Sequence, residues 1–290
     1  MNQFGKVSRF EITAASSKSG RTFIKDSFFT SPFKIMKPFQ KDDGGISVFQ
    51  QTASPGILAG DRQEHNIIVE KAASLEIVSQ SFEKIFKMEE NELAERKICA
   101  KVGEGAALIY APNPCIPFAK SNFHSSTKIT LAKDSRLIYE DCICAGRVAG
   151  GEVFDFTRYK NMIEIWREGR LIFRENLFLE GSDGQTHPER KALLQGKTMF
   201  GDFTHCGSML IFGYSKITSL EKLRSALGLE EKLLYTEEKA KSNPQKIQIE
   251  VTENEYGDFI IRCLSNRAES IQNAFGTLLQ GMKKSILMTS

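Results

Sequence analysis

Val69-Glu-Lys-Ala-Ala-Ser-Leu75, Val102-Gly-Glu-Gly-Ala-Ala-Leu108, Leu131-Ala-Lys-Asp-Ser-Arg-Leu137 and Ile165-Trp-Arg-Glu-Gly-Arg-Leu171 follow one template. Each has an aliphatic residue, a charged or small turn, and a leucine six positions on. The leucines recur at intervals of 33, 29 and 34 residues (75 to 108, 108 to 137, 137 to 171). Periods of about 20–50 residues mark supersecondary units that bury their faces against one another. Each turn here joins two apolar segments of strand length, so the unit is built from strands. The template predicts a mainly β protein of coiled, β-helix-like stacked sheets.

The segments around the template agree. Phe10-Glu-Ile12-Thr-Ala14, Ile46-Ser-Val48, Asn66-Ile-Ile-Val-Glu70, Lys128-Ile-Thr-Leu131, Val153-Phe-Asp-Phe-Thr157 and Ile163-Glu-Ile165-Trp166 alternate, and Gly, Ser, Asp and Pro separate them. That pattern reads as short strands. After Phe200 the pattern changes. Ser219 caps a leucine-spaced run that stops at Gly228, and Lys246–Val251 and Asp258–Arg262 read as strands paired around Glu253–Gly257. Lys239 to Pro244 reads as a polar loop. A closing amphipathic helix begins near Asn266, with Ile271, Ala274, Phe275, Leu278, Leu279, Met282 and Ile286 as its stripe. The chain thus divides into a β-rich body, residues 1–205, and a small α/β C-terminal part, residues 206–290, packed on the body as one structural unit.

Composition narrows the function. The 290 residues are 41% hydrophobic, ample for a core, and 39 basic against 36 acidic residues leave a formal charge of +3. No Lys/Arg-rich run or basic stripe interleaved with aromatics points to nucleic acid. The longest apolar runs fall far short of the ~20 residues of a membrane span. Met1-Asn-Gln-Phe-Gly-Lys6 lacks a signal-peptide h-region, so a cytoplasmic location is expected. Six cysteines without a C-x-x-C pair suit that compartment. Cys142 and Cys144 read as buried reduced thiols in preference to a soft-metal site. Four histidines form no H-x-x-x-H or H-E-x-x-H array, so no local zinc or nickel cage is expected.

No catalytic set emerges: there is no G-x-S-x-G elbow, no P-loop, and no G-x-G-x-x-G between strand and helix. Val102-Gly-Glu-Gly105 belongs to the repeat turn. Glu140 and Asp141 are adjacent and face opposite ways on a strand, so they do not act as a pair. What remains is a set of acidic and imidazole groups at glycine corners: Asp61, Glu64, His65, Glu83, Asp141, Glu152 and His205. Such ligands in incomplete sets suit transient passage of a divalent ion better than storage. Arg147 is expected to pair with Asp141 or Glu152.

Two glycine corners, Ser54-Pro-Gly-Ile-Leu-Ala-Gly-Asp61 and Gly146-Arg-Val-Ala-Gly-Gly-Glu152, flank Ser79–Ile85 and Pro112–Phe118. In them Gly56, Gly60 and Gly146 shape the backbone and Arg147 orders its surroundings. In this order the four motifs resemble the urease accessory proteins of the UreD/UreH family, from about Phe28 to His205 and more weakly to the C-terminus. One departure is Pro55-Gly56, where many relatives have two glycines. The resemblance implies a β scaffold without enzyme activity that binds helical UreF and nickel-carrying UreG and docks on apo-urease. Nickel in transit, not a tightly bound cofactor, then passes through the scaffold, and Asp61 and Asp141 fall at positions where acids line that passage. The rival readings are a β-helix carbohydrate-active enzyme, with acids from neighbouring coils in a surface groove, and a binding module without a metal role.

Overall fold

A single left-handed residue turns the corner in three of the four template copies. In the computed structural model, which describes residues 7–229 and 247–289, the fourth template position takes positive φ in the first three copies: Ala72 (57°), Gly105 (66°) and Asp134 (55°). The corner carries the chain from one sheet to the other. In the fourth copy both Glu168 (48°) and Gly169 (82°) are left-handed. Two successive residues of positive φ make the tight two-residue hairpin loop of the I′ kind. The chain therefore folds back beside itself, with Arg167 opposite Arg170. The fourth repeat expected from the sequence is thus a hairpin within one sheet, and Leu171 is 37% exposed.

The first sheet runs, in spatial order, β15 (Arg170–Glu180), β14 (Arg158–Arg167), β12 (Asn122–Leu131), β9 (Ala94–Val102), β6 (Arg62–Val69), β1 (Val7–Ser16), β2 (Thr22–Phe29). The second runs β17 (Ile247–Glu253), β18 (Phe259–Ser265), β16 (His205–Phe212), β13 (Arg136–Cys144), β10 (Ala107–Ala111), β7 (Ser74–Ser79), β5 (Ile46–Thr52), β3 (Phe33–Ile35). The short β4 (Phe39–Gln40), β8 (Glu83–Ile85) and β11 (Cys115–Pro117) attach to it. From β5 to β14 the chain alternates between sheets and pairs in parallel with its previous turn. This is a two-sheet β-solenoid, the coiled stack expected. Antiparallel strands β2, β3 and β15 finish its parallel runs. The second sheet continues across residue 205 into β16, β18 and β17, which are also antiparallel.

The template leucines form one row of the core. Register places Ile46 beside Leu75, then Leu108, Leu137 and Phe212. Val69, Val102 and Leu131 make the corresponding row in the first sheet. All are at most 2% exposed, and burying a large aliphatic side chain stabilises by about 1.5–3 kcal/mol. The corners stack through their backbones as well: Gly103 N–H donates to Val69 at 2.7 Å and Ala72 N–H to Glu104 at 3.0 Å. A Cβ on Gly103 would lie 2.8 Å from the Lys71 nitrogen and 3.0 Å from the Val69 oxygen. Gly103→Ala is therefore expected to cost about 1–3 kcal/mol by forcing neighbouring coils apart. A thermal melt checks this, and an unchanged midpoint would refute it.

A second core lies on the outer face of the second sheet. There α2 (Leu220–Ala226) and α3 (Ala268–Thr289) cover Ile138, Met209, Ile211, Val251 and Ile261. The amphipathic stripe of α3 thus packs on its own sheet, through Ile271, Phe275, Leu278 and Met282. Ser219 caps α2 by accepting from Lys222 N–H at 3.3 Å, as its sequence predicts. The Lys239–Pro244 loop and the Ile286 side chain lie outside the described residues.

One local expectation fails, and one short helix was not foreseen. Val153–Thr157 is not a strand: Phe154 has φ 55°, and the segment is a loop folded around buried Asp155. The Asp155 carboxylate accepts from Ser182 Oγ (2.7 Å), Lys191 Nζ (3.2 Å) and the Val153 N–H (3.2 Å). Its alternating phenylalanines, Phe154 and Phe156, instead fill a third core with Ile85, Cys115 and Ile143. The short α1 (Pro188–Leu194) also escaped the strand reading, although Pro188 at its first turn was a helix-start signal.

Candidate functional site

The four glycine-and-proline motifs come together as neighbouring arches of the solenoid, at the strand ends opposite the corners. Ile57 bridges to Ile85, Glu83–Ile85 pairs with Cys115–Pro117, and Cys115 pairs with Ile143 just before Gly146. The close spacing explains Gly56, since a Cβ there would run into the Lys84 carbonyl and Phe86 ring. Gly60 takes φ 77° at the turn that Asp61 closes. A Cβ on Gly146 would lie 2.7 Å from the Glu152 carbonyl oxygen.

Beneath these arches the facing sides of the sheets turn polar. In the first sheet Gln63 stands beside Arg96, Arg96 beside Ser125, and Ser125 beside Asn161. In the second, Gln50 stands beside Ser79, to which Asn113 donates twice at 2.7 Å. Farther along the same sheet come Asp141, Ser208 and Arg262, again side by side. Two adjoining cavities that share part of their lining follow this file. An outer vestibule is lined by Gln50, Ser54, Gln63, Ser79 and Lys84. An inner chamber is lined by Ser125, Tyr139, Asp141, Tyr159 and Asn161. Glu83, Arg96, Tyr110, Pro112 and Asn113 line both and form the neck between them.

At the neck Arg96 donates to Gln63 Oε1 through Nε (3.0 Å) and Nη2 (2.8 Å), and Nη2 also pairs with Glu83. Its guanidinium lies over the Phe123 ring at 5.4 Å. Although burial works against its charge, Glu83 raises its pKa further, so Arg96 is a fixed cation. Tyr110 stacks on Tyr139 with ring centres 5.7 Å apart, and burial pushes its phenol up to about 12. In the chamber, Asn161 donates to Asp141 at 2.8 Å while its own Oδ1 is buried without a partner. Burial raises the Asp141 pKa to about 6 against the opposing effect of that hydrogen bond.

The predicted site residues divide. Glu83 and Asp141 line the chamber. His65 lies two residues along β6 from Gln63, on the same inward face, packed between Phe10 and Phe33 with ring centres at 5.4 and 5.0 Å. Burial, with Arg96 adding to it, holds its pKa well below the usual value, and its Nε2 has no partner. Asp61 accepts from the Leu58 N–H at 2.8 Å and so closes its own turn. Glu64 faces out, paired with Arg9 at 3.5 Å. Glu152 pairs with Arg147, the second of the two partners the sequence suggested, and accepts from the Ala119 N–H at 3.2 Å. A short 3₁₀ turn, Val148–Gly150, lies inside that motif. His205 is buried beside Thr204, 2.9 Å from Nδ1 to Oγ1, and burial lowers its pKa. Glu140 faces away from Asp141, as a strand requires; burial and nearby Glu76 push its pKa up to about 7. All six cysteines are unpaired, and burial drives the Cys144 thiol up to about 12.

Sequence reasoning missed Gln63, Arg96, Tyr110 and Asn161. A signal existed: Gln63, Arg96, Ser125 and Asn161 are 33, 29 and 36 residues apart (63 to 96, 96 to 125, 125 to 161), nearly the leucine interval. Among the described residues no three His, Cys, Asp or Glu side chains converge as a metal cage. Nor is any helix among them long and apolar enough to cross a membrane.

Residues 8–290 match the family described as "UreD urease accessory protein". The urease accessory protein UreD of Acetivibrio thermocellus is 41% identical over 212 residues, 73% of this chain and 77% of that protein. UreH of Helicobacter hepaticus is 31% identical over 271 residues, 93% of this chain and 96% of its own. UreH of Helicobacter pylori strain P12 is 35% identical over 205 residues, 71% and 74% of the two chains. The file of polar residues thus lies inside a chain that belongs to the UreD family of urease accessory proteins.

Proposed function

We propose that this protein is a non-enzymatic, cytoplasmic scaffold for urease maturation, which binds UreF- and UreG-type accessory proteins and apo-urease and conducts nickel towards the urease active site. The observation that carries the reading is the polar file beneath the arches, continuous from Gln50 and Gln63 to Asp141 and Asn161. An interior so lined, with Asp141 and the Arg96-paired Glu83 as the chamber's two carboxylates and no cage, gives a dication successive oxygen contacts without a deep well to hold it. It lowers the desolvation barrier inside the protein while leaving release fast.

Asp141 provides the test. In cells lacking this chain and supplied with the Asp141→Asn variant, nickel per urease is expected to fall about tenfold, the equivalent of roughly 1.4 kcal/mol on the ion's barrier. Co-purification with the partner proteins should be unchanged, because Asn keeps the side chain's size. Full nickel loading by Asp141→Asn would sink the reading. The pH dependence has a definite sign. The carboxyl is protonated below about 6 and charged above it, so loading through the purified complex should weaken as pH falls through 6. Stability runs the other way: raised from 3.8 to about 6, this carboxyl contributes stability at low pH that is lost as pH rises through that window.

A further inference from the structure

We propose that the chamber is guarded on both sides by paired charges, Arg96–Glu83 across the neck and Arg262–Glu175 beyond Asp141 where the solenoid ends, with the two arginines filtering cations. The inference rests on the passage reading above and adds its control.

Arg96 and Glu83 line both cavities, so the route from vestibule to chamber runs past them. The far pair is again an arginine with a glutamate but lies nearer the surface, with the Arg262 side chain 59% and Glu175 22% exposed. Arg262 follows Asp141 and Ser208 in the register of the second sheet, and it also lines a surface groove with Cys206 and Gln248. Glu175 stands on the last strand of the first sheet, beside core residue Ile163. The two side chains meet at 2.9 Å and span the sheets where the solenoid ends. Between the pairs lie the Asp141 carboxylate and the buried, unpartnered Asn161 Oδ1. Asp141 feels both ends: Glu175 raises its proton affinity and Arg96 lowers it.

A guanidinium does not lose its proton, and in a poorly screened interior it repels a dication strongly. A carboxylate that stays on its arginine offers the ion little. One that lets go supplies the anion the ion needs while the arginine stays held to one side. Arg96 is built for that exchange, because its two hydrogen bonds to Gln63 hold it when Glu83 leaves. Glu83 sits on the three-residue strand β8, the smaller and more easily displaced partner.

Terbium(III), an oxygen-seeking cation whose luminescence is sensitised by nearby tyrosine, reports arrival in a chamber lined by Tyr139 and Tyr159. The signal from the chamber is the part of the emission of the purified full-length chain that Asp141→Asn removes. Neutralising either pair, by Arg96→Gln with Glu83→Gln or by Arg262→Gln with Glu175→Gln, is expected to speed the onset of that signal by about tenfold or more. Combining the two should speed it further. Each double substitution removes both charges of a pair together, so no charge is left unpaired inside the fold. Asp141-dependent emission that develops at the unmodified rate in both neutralised proteins overturns the filters and leaves the passage standing. Absence of Asp141-dependent emission from every protein overturns the passage, and the filters with it.

Discussion

A chain ended at Ser265 is expected to be lost to the insoluble fraction. Helix α3 places Ile271, Phe275, Leu278 and Met282, each at most 3% exposed, on the outer face of the second sheet. At about 1.5–3 kcal/mol for each fully buried side chain, four of them contribute roughly 6–12 kcal/mol. Typical domain stability is about 5–15 kcal/mol, so little or nothing would remain. The bared sheet would also present Ile138, Met209, Ile211 and Ile261 as one apolar patch, an aggregation site. Phe275→Ala grades the same effect at about 3–5 kcal/mol. Gly207 belongs to this contact, because a Cβ there would lie 2.7 Å from Ile271 Cγ2 and 3.2 Å from Phe275 Cζ. The measurement is the soluble fraction on expression, followed by a urea midpoint. A soluble chain ending at Ser265 with the full-length midpoint would refute it.

Asp258→Ala should be nearly as damaging, at about 3–5 kcal/mol. This carboxylate is 1% exposed and accepts from Arg167 Nη2 and from the Gly213 N–H, each at 2.8 Å. It ties the β14–β15 hairpin of the first sheet to the second. Alanine would leave a largely buried guanidinium and a backbone N–H without their acceptor. Asp258→Asn keeps one acceptor oxygen and should recover part of the loss. Chemical denaturation reads both variants, and equal midpoints for Asp258→Ala and the unmodified protein would show that the tie carries no stability.

The legible part of the fold was the part written as local periodicity. The corners at Ala72, Gly105 and Asp134 and the leucine row follow from the repeated template, and the α3 stripe from helical spacing. Glu168-Gly169 was misread because a corner and a hairpin differ by one additional positive φ, which an aliphatic-to-leucine spacing does not record. Phe154 and Phe156 alternate like strand residues, yet Asp155 between them gathers partners from Ser182 and Lys191, which lie far along the chain. The site was harder to read for a related reason. Asp61, Glu64 and Glu152 stand out because they sit by glycines, but a glycine corner identifies a turn, and these acids serve the turn or the surface. Arg96 and Asn161 sit in ordinary strand sequence, and their importance comes from the strand beside them.

The hairpin at Glu168-Gly169 sets more than the end of a sheet. Neighbouring strands are about 4.8 Å apart, so the file from Gln63 through Arg96 and Ser125 to Asn161 crosses three such steps, about 14 Å. Its length is therefore quantised. A point substitution alters what lines the file but not its reach. A longer file needs a whole additional coil of about thirty residues, with a one-residue corner replacing the hairpin loop and a polar side chain at the matching register.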